Sequence, residues 1–128
     1  MTVSDIADSS TVHNARELQE ALAKRYGDYN AFWIASEEGT YPQLGLFVQG
    51  HLAYLCYLPE EFDPGFRSMG EAQEQEAGPR RIPTSMHRTD DIVVPNDALV
   101  SYASALAAAT EFFQSPRELP RSVKWLKL

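Results

Sequence analysis

The 128-residue sequence contains one cysteine, Cys56, so no internal disulfide is available to it. No apolar run approaches the roughly 20 residues that a membrane-spanning helix requires. Residues 1–10 include Asp5 and Asp8 and have neither the basic start nor the apolar stretch of a secretion signal. These absences predict a reducing, cytoplasmic setting and no membrane partner. A chain of this length buries a core without staples, so one domain is expected over residues 1–128, with the polar, aperiodic residues 1–12 as a loose tail.

Basic residues are also scarce: eleven Lys and Arg stand against eighteen Asp and Glu, for a net charge of −7. The deficit is concentrated in residues 1–78, which hold thirteen acids and four bases, while residues 79–128 hold five acids and seven bases. A protein that grips nucleic acid presents a basic stripe with interleaved aromatics. The sign here is opposite over most of the length, which argues against a nucleic-acid partner. Acidic surfaces steer toward basic proteins, although acidity also serves solubility alone.

The signatures of catalysis are missing too. His13, His51, His87 and Cys56 show no ligand-pair spacing, so no metal is expected. The seven glycines are scattered, without phosphate-loop or dinucleotide spacing, and no G-x-S-x-G elbow occurs. His51 and Cys56 are five apart on an expected strand, which puts their side chains on opposite faces and disfavours a dyad; Cys56 reads as a small buried hydrophobe. The adjacent acids Glu37-Glu38, Glu60-Glu61 and Asp90-Asp91 diverge in turns. Phe32, Trp33, Tyr54 and Trp125 read as core aromatics. No cofactor and no catalytic residue is expected.

What is present is a pattern of helices and short strands. Ala15, Leu18, Ala21, Leu22 and Tyr26 recur at helical spacing, and Gly27 reads as the stop, so a helix is expected over 14–26. Strands are expected over 31–35, 44–48 and 51–58, joined by turns at 37–40 and at Gly50. Such short connections imply antiparallel hairpins. Leu52, Tyr54, Cys56 and Leu58 alternate with other apolar residues, so the third strand is apolar on both faces and central. Residues 59–83 are rich in Pro and Gly and carry a polar run; a short edge strand is expected at 66–69, and a loop this long is either functional or disordered. Residues 91–94 read as a strand and Asn96 as the cap of a second helix reaching Gln114, with Leu99, Tyr102, Ala103, Leu106, Ala107, Thr110 and Phe113 as its buried stripe. Residues 123–128 read as a terminal edge strand. The expected fold is α+β: one mostly antiparallel sheet of about five strands with two main helices packed on one face.

Two blocks of residues carry a family resemblance. Glu37-Glu38-Gly39-Thr40-Tyr41-Pro42-Gln43-Leu44, followed by Leu46 and Phe47, resembles the central hairpin of the first-numbered immunity family of bacterial polymorphic-toxin systems. The C-terminal block is similar to that family as well: Phe112 and Phe113 close a helix, Pro116, Arg117 and Pro120 follow, and Val123, Trp125 and Leu128 make the last strand. The resemblance covers residues 31–58 and 91–128, while residues 59–90 match nothing. It implies an immunity protein of interbacterial competition that forms a one-to-one complex with a cognate protein toxin, often a deaminase acting on cytosine in DNA.

On that implication, an acidic partner fills the toxin's basic substrate groove. The candidate contacts are Glu37, Glu38 and Tyr41 on the hairpin turn and Glu60, Glu61, Asp63, Phe66, Glu71, Glu74 and Glu76 on the long loop, with Tyr41 and Phe66 as apolar anchors. Pro42, Gln43, Leu44 and Trp125 are expected to be structural. The rivals are immunity against a nuclease toxin, an acidic adaptor or secretion chaperone that binds without inhibiting, and an enzyme whose site is assembled from distant residues.

Overall fold

The computed structural model describes residues 1–70, 80–86 and 90–128. In chain order the elements are β1 (Thr2–Ser4), β2 (Ser9–Thr11), α1 (Ala15–Leu22), β3 (Tyr29–Ala35), β4 (Gln43–Gln49), β5 (Leu52–Leu58), β6 (Phe66–Met69), β7 (Arg80–Pro83), β8 (Asp91–Val94), a 3-10 turn (Asn96–Ala98), β9 (Val100–Ser101), α2 (Tyr102–Gln114) and β10 (Lys124–Lys127). The main sheet has eight strands in the order β10-β6-β5-β4-β3-β1-β2, with β9 pairing β5 beside β6. All its pairings are antiparallel. The fold is α+β as expected, with more strands than five.

Alternation along the central strands assigns the two faces of the sheet. Phe32 and Ile34 of β3, Leu44, Leu46 and Val48 of β4, and Ala53, Leu55 and Tyr57 of β5 turn to the helices, where they meet Leu18, Leu22, Ala105, Ala108, Ala109 and Phe112. The opposite face carries Ala31, Phe47 and Leu52, covered by Ile82 and Val94 of the separate β7–β8 hairpin and by Leu99. Both helices pack on one face, and the hairpin caps part of the other.

Several expectations are corrected. Residues 1–12 are not a loose tail: β1 pairs with β3 and β2 with β1, and Val3 and Val12 are buried in the core. Short polar strands lack a periodic signal; the pairing of β1 with β3, and of β2 with β1, decides their conformation. Helix α1 stops at Leu22, before Gly27, and Arg25 folds back to satisfy that end, donating to the Leu22 carbonyl at 2.7 Å and stacking on the Tyr102 ring at 4.6 Å. Gly27 instead serves a tight turn at φ +72°, closed by the Tyr26–Tyr29 bridge. Strand β6 is interior and β10 takes the edge.

Helix α2 begins later than Asn96. Val100 and Ser101 pair with Ala53 and Leu52, and the Ser101 hydroxyl accepts from the Ser104 N–H at 3.1 Å as the actual cap. Its buried stripe is Ala105, Ala108, Ala109 and Phe112, whereas Ala103 and Ala107 are exposed. Alanines around the helix give the pattern little phase. Close approach to the sheet selects the small side chains, leaving Tyr102, Leu106 and Phe113 on the flanks.

Gly70 shows how tightly the 96–99 segment is seated. Its N–H donates to the Asp97 carbonyl at 2.7 Å, and an added Cβ would stand 1.7 Å from the Leu99 carbonyl oxygen. Gly70→Ala is therefore expected to cost about 1–3 kcal/mol through backbone displacement, read as a lowered urea midpoint. An unchanged midpoint would show that the segment shifts freely.

Candidate functional site

Strands β3 to β6 form an uninterrupted antiparallel run, so their first and third connections emerge at the same end of the sheet. The register fixes this: Ala35 lies opposite Gln43, Gln43 opposite Leu58, and Tyr57 opposite Phe66. The β3–β4 turn therefore stands beside the β5–β6 loop, although the two are separated by β4 and β5 in sequence.

The turn closes on itself. Thr40 accepts from the Glu37 N–H at 3.1 Å through its hydroxyl oxygen, and the same hydroxyl donates to the Glu37 carbonyl at 2.7 Å. This holds Glu37 and Glu38 outward, while Pro42 is buried beneath them. In the second loop Asp63 donates its N–H to the Glu60 carbonyl at 3.2 Å, and its carboxylate accepts from the Gly65 N–H at 2.7 Å. Gly65 adopts φ +74°, and a Cβ there would meet the Tyr57 carbonyl oxygen at 2.2 Å, so glycine is required at this position.

Five carboxylates gather at this end: Glu37, Glu38, Glu60, Glu61 and Asp63 are all exposed, and among the described residues none has a cation within ion-pair distance. Tyr41 is 38% exposed beside them. Glu71, Glu74 and Glu76, the remaining acids expected to contribute, lie outside the described residues, as does His87.

Phe66 is not part of this surface. It lies on β6 against the helix-side core, its ring 6.3 Å from that of Tyr57, because β6 continues the sheet and its alternation turns this residue inward. The exposed aromatic of the loop is instead Phe62, at 95% exposure and φ +66°. The signal for it was a lone apolar residue among Glu60, Glu61 and Asp63, bracketed by Pro59 and Pro64. Trp125 packs against Tyr57 at 6.4 Å and donates its indole N–H to the Pro120 carbonyl at 2.8 Å, the structural role expected of it.

Among the described residues, the groups weighed for chemistry stay apart. Among the described residues no group of three His, Cys, Asp or Glu side chains is placed to hold a metal ion. His13 pairs with Glu17 at 3.0 Å on the surface. His51 lines a cleft of about 460 Å³ at the other end of the sheet, together with Ser101, Arg121 and Lys124, and no carboxylate is among the described residues that line it.

Cys56 lies on the hairpin side of β5, where burial pushes its thiol up to about 12. A folded-state value raised above the unfolded one means that the unfolded chain releases this proton first. Stability is therefore retained below about pH 9 and lost as pH rises toward 12, at roughly 1.4 kcal/mol per pH unit. Urea midpoints measured between pH 8 and 10 should show the onset, and Cys56→Ala should flatten it. Tyr54 and Tyr57, also raised by burial, enter only above about pH 10.

The molecule is thus an α+β protein that presents a charged, aromatic-bearing end from a closed scaffold, and no described helix is long and apolar enough to cross a membrane. The sequence model of the family described as Immunity protein Imm1 matches residues 6–127, and the chain belongs to that family. Its role is that of an immunity protein, whose partner is a cognate toxin. Comparison with curated proteins finds no match.

Proposed function

We propose that the protein is a stoichiometric, non-catalytic inhibitor of a nucleic-acid deaminase toxin, acting in the cytoplasm of the cell it protects. Its acidic end lies in the toxin's substrate groove. A deaminase must admit an anionic strand through basic walls to reach a zinc-bound water and the target base. A protein end carrying unneutralised carboxylates competes for the same walls, and long-range attraction speeds its arrival. The observation that carries this reading is the convergence of Glu37, Glu38, Glu60, Glu61 and Asp63, from two separate loops, with no cation within ion-pair distance among the described residues.

The test uses the C-terminal domain encoded by the adjacent upstream gene. Its conversion of cytosine to uracil in single-stranded DNA is measured against increasing amounts of the purified chain. Activity should fall linearly to zero at one equivalent. Strand scission in place of uracil would replace the deaminase with a nuclease. Binding without loss of activity would indicate an adaptor or chaperone, and survival of full activity without binding would sink the reading altogether.

A further inference from the structure

Phe62 stands at the tip of the β5–β6 loop with 95% of its surface exposed, the most exposed of the large apolar side chains described. Trp33, Met69, Val93 and Leu126, by comparison, are between 37% and 52% exposed. A phenyl ring so placed forgoes the free energy that burial would return, and its backbone occupies a left-handed conformation, φ +66°, that glycine would adopt more readily. Among the described residues, no ring or cation contact holds the side chain.

Its surroundings restrict what can cover it. A second copy meeting this end would bring the same five carboxylates face to face, and anionic lipid headgroups would be repelled by them. A partner that buries Phe62 must therefore offer an apolar pocket rimmed by lysine or arginine. Resting on the proposed function, we infer that Phe62 is the anchor of the toxin complex: its ring enters such a pocket on the toxin, while Glu60, Glu61 and Asp63 meet the cationic rim. This assigns the two halves of recognition to different groups. The ring, desolvated at the centre, governs how long the complex lasts, and the surrounding charge governs how fast it forms.

The test measures association and dissociation rates of the full chain and its Phe62→Ala and Phe62→Gly variants on the same upstream-encoded toxin domain. Both variants should dissociate at least roughly 30-fold faster, with association rates and their salt dependence within about twofold of the parent chain. Thermal midpoints should be unchanged for Phe62→Ala and unchanged or higher for Phe62→Gly, since the side chain is 95% exposed and glycine relieves the backbone. Dissociation unaltered by either variant, alongside tight binding of the parent chain, overturns this proposal alone. Failure of the parent chain to bind the toxin overturns the proposed function and this inference with it. Loss in Phe62→Ala of a dimer seen by sedimentation in the parent chain would assign the ring to self-association and also overturn it.

Discussion

Phe112→Ala is expected to remove about 3–5 kcal/mol of stability, the largest effect of any single truncation of α2. Of the residues that α2 buries fully, three are alanines and the fourth is Phe112. Its ring meets Tyr57 edge-on, with centroids 6.1 Å apart, and fills the helix-side core near the end of β5. Alanine there leaves a cavity that the neighbouring alanines are too short to close. Total stability for small proteins is about 5–15 kcal/mol, so the variant should sit near the threshold of folding at 37 °C. Urea denaturation gives the value directly. The adjacent Phe113→Ala, at a half-buried flank position, should cost distinctly less. Equal losses at 112 and 113 would mean that the helix is rotated from the placement described.

Converting Glu37, Glu38, Glu60 and Glu61 together to glutamine is expected to slow association with the toxin about 10- to 100-fold at low salt. Exposed charges taken singly are worth little. These four act together because the sheet register brings two loops to one end, and among the described residues none of them has a cation within ion-pair distance. The salt dependence of the association rate should flatten in the variant, because screening has less left to screen. Folding should be unaffected or slightly favoured, since like charges are removed from one another's vicinity. Stopped-flow mixing over a range of ionic strength checks the rate, and thermal melting checks the fold. An association rate and salt slope equal to those of the parent chain would show that this end does not guide the encounter.

The parts of the molecule legible in the sequence are those where local pattern and tertiary environment agree. Strands β3, β4 and β5 were evident from apolar runs bounded by turn residues, and β5 from its two apolar faces, which fit its central position in the sheet. The acids of both turns were visible as charges, but only the register shows that they share an end. Strands β1, β2, β7 and β9 are not legible because they have two to four residues each, and pairing specifies them more than their own composition does, with distant partners for β1 and β9 and with a chain neighbour for β2 and β7. The phase of α2 is not legible because alanine fits both the covered and the open side of a helix. Phe66 turns inward, against the expectation, because the sequence shows a strand over 66–69 but not which face of the sheet its first residue takes. The first residue of β6 turns inward, and the ring four positions earlier faces water.

The meander also separates two kinds of evolutionary freedom. Side chains that hold the scaffold together project from the strands, while those at the acid-bearing end sit beyond the last paired residues, with Pro42 and Gly65 marking the border. On the proposed function, substitutions past that border retune affinity for the toxin without repacking the interior. A lineage of such proteins can therefore diversify its targets on an unaltered frame.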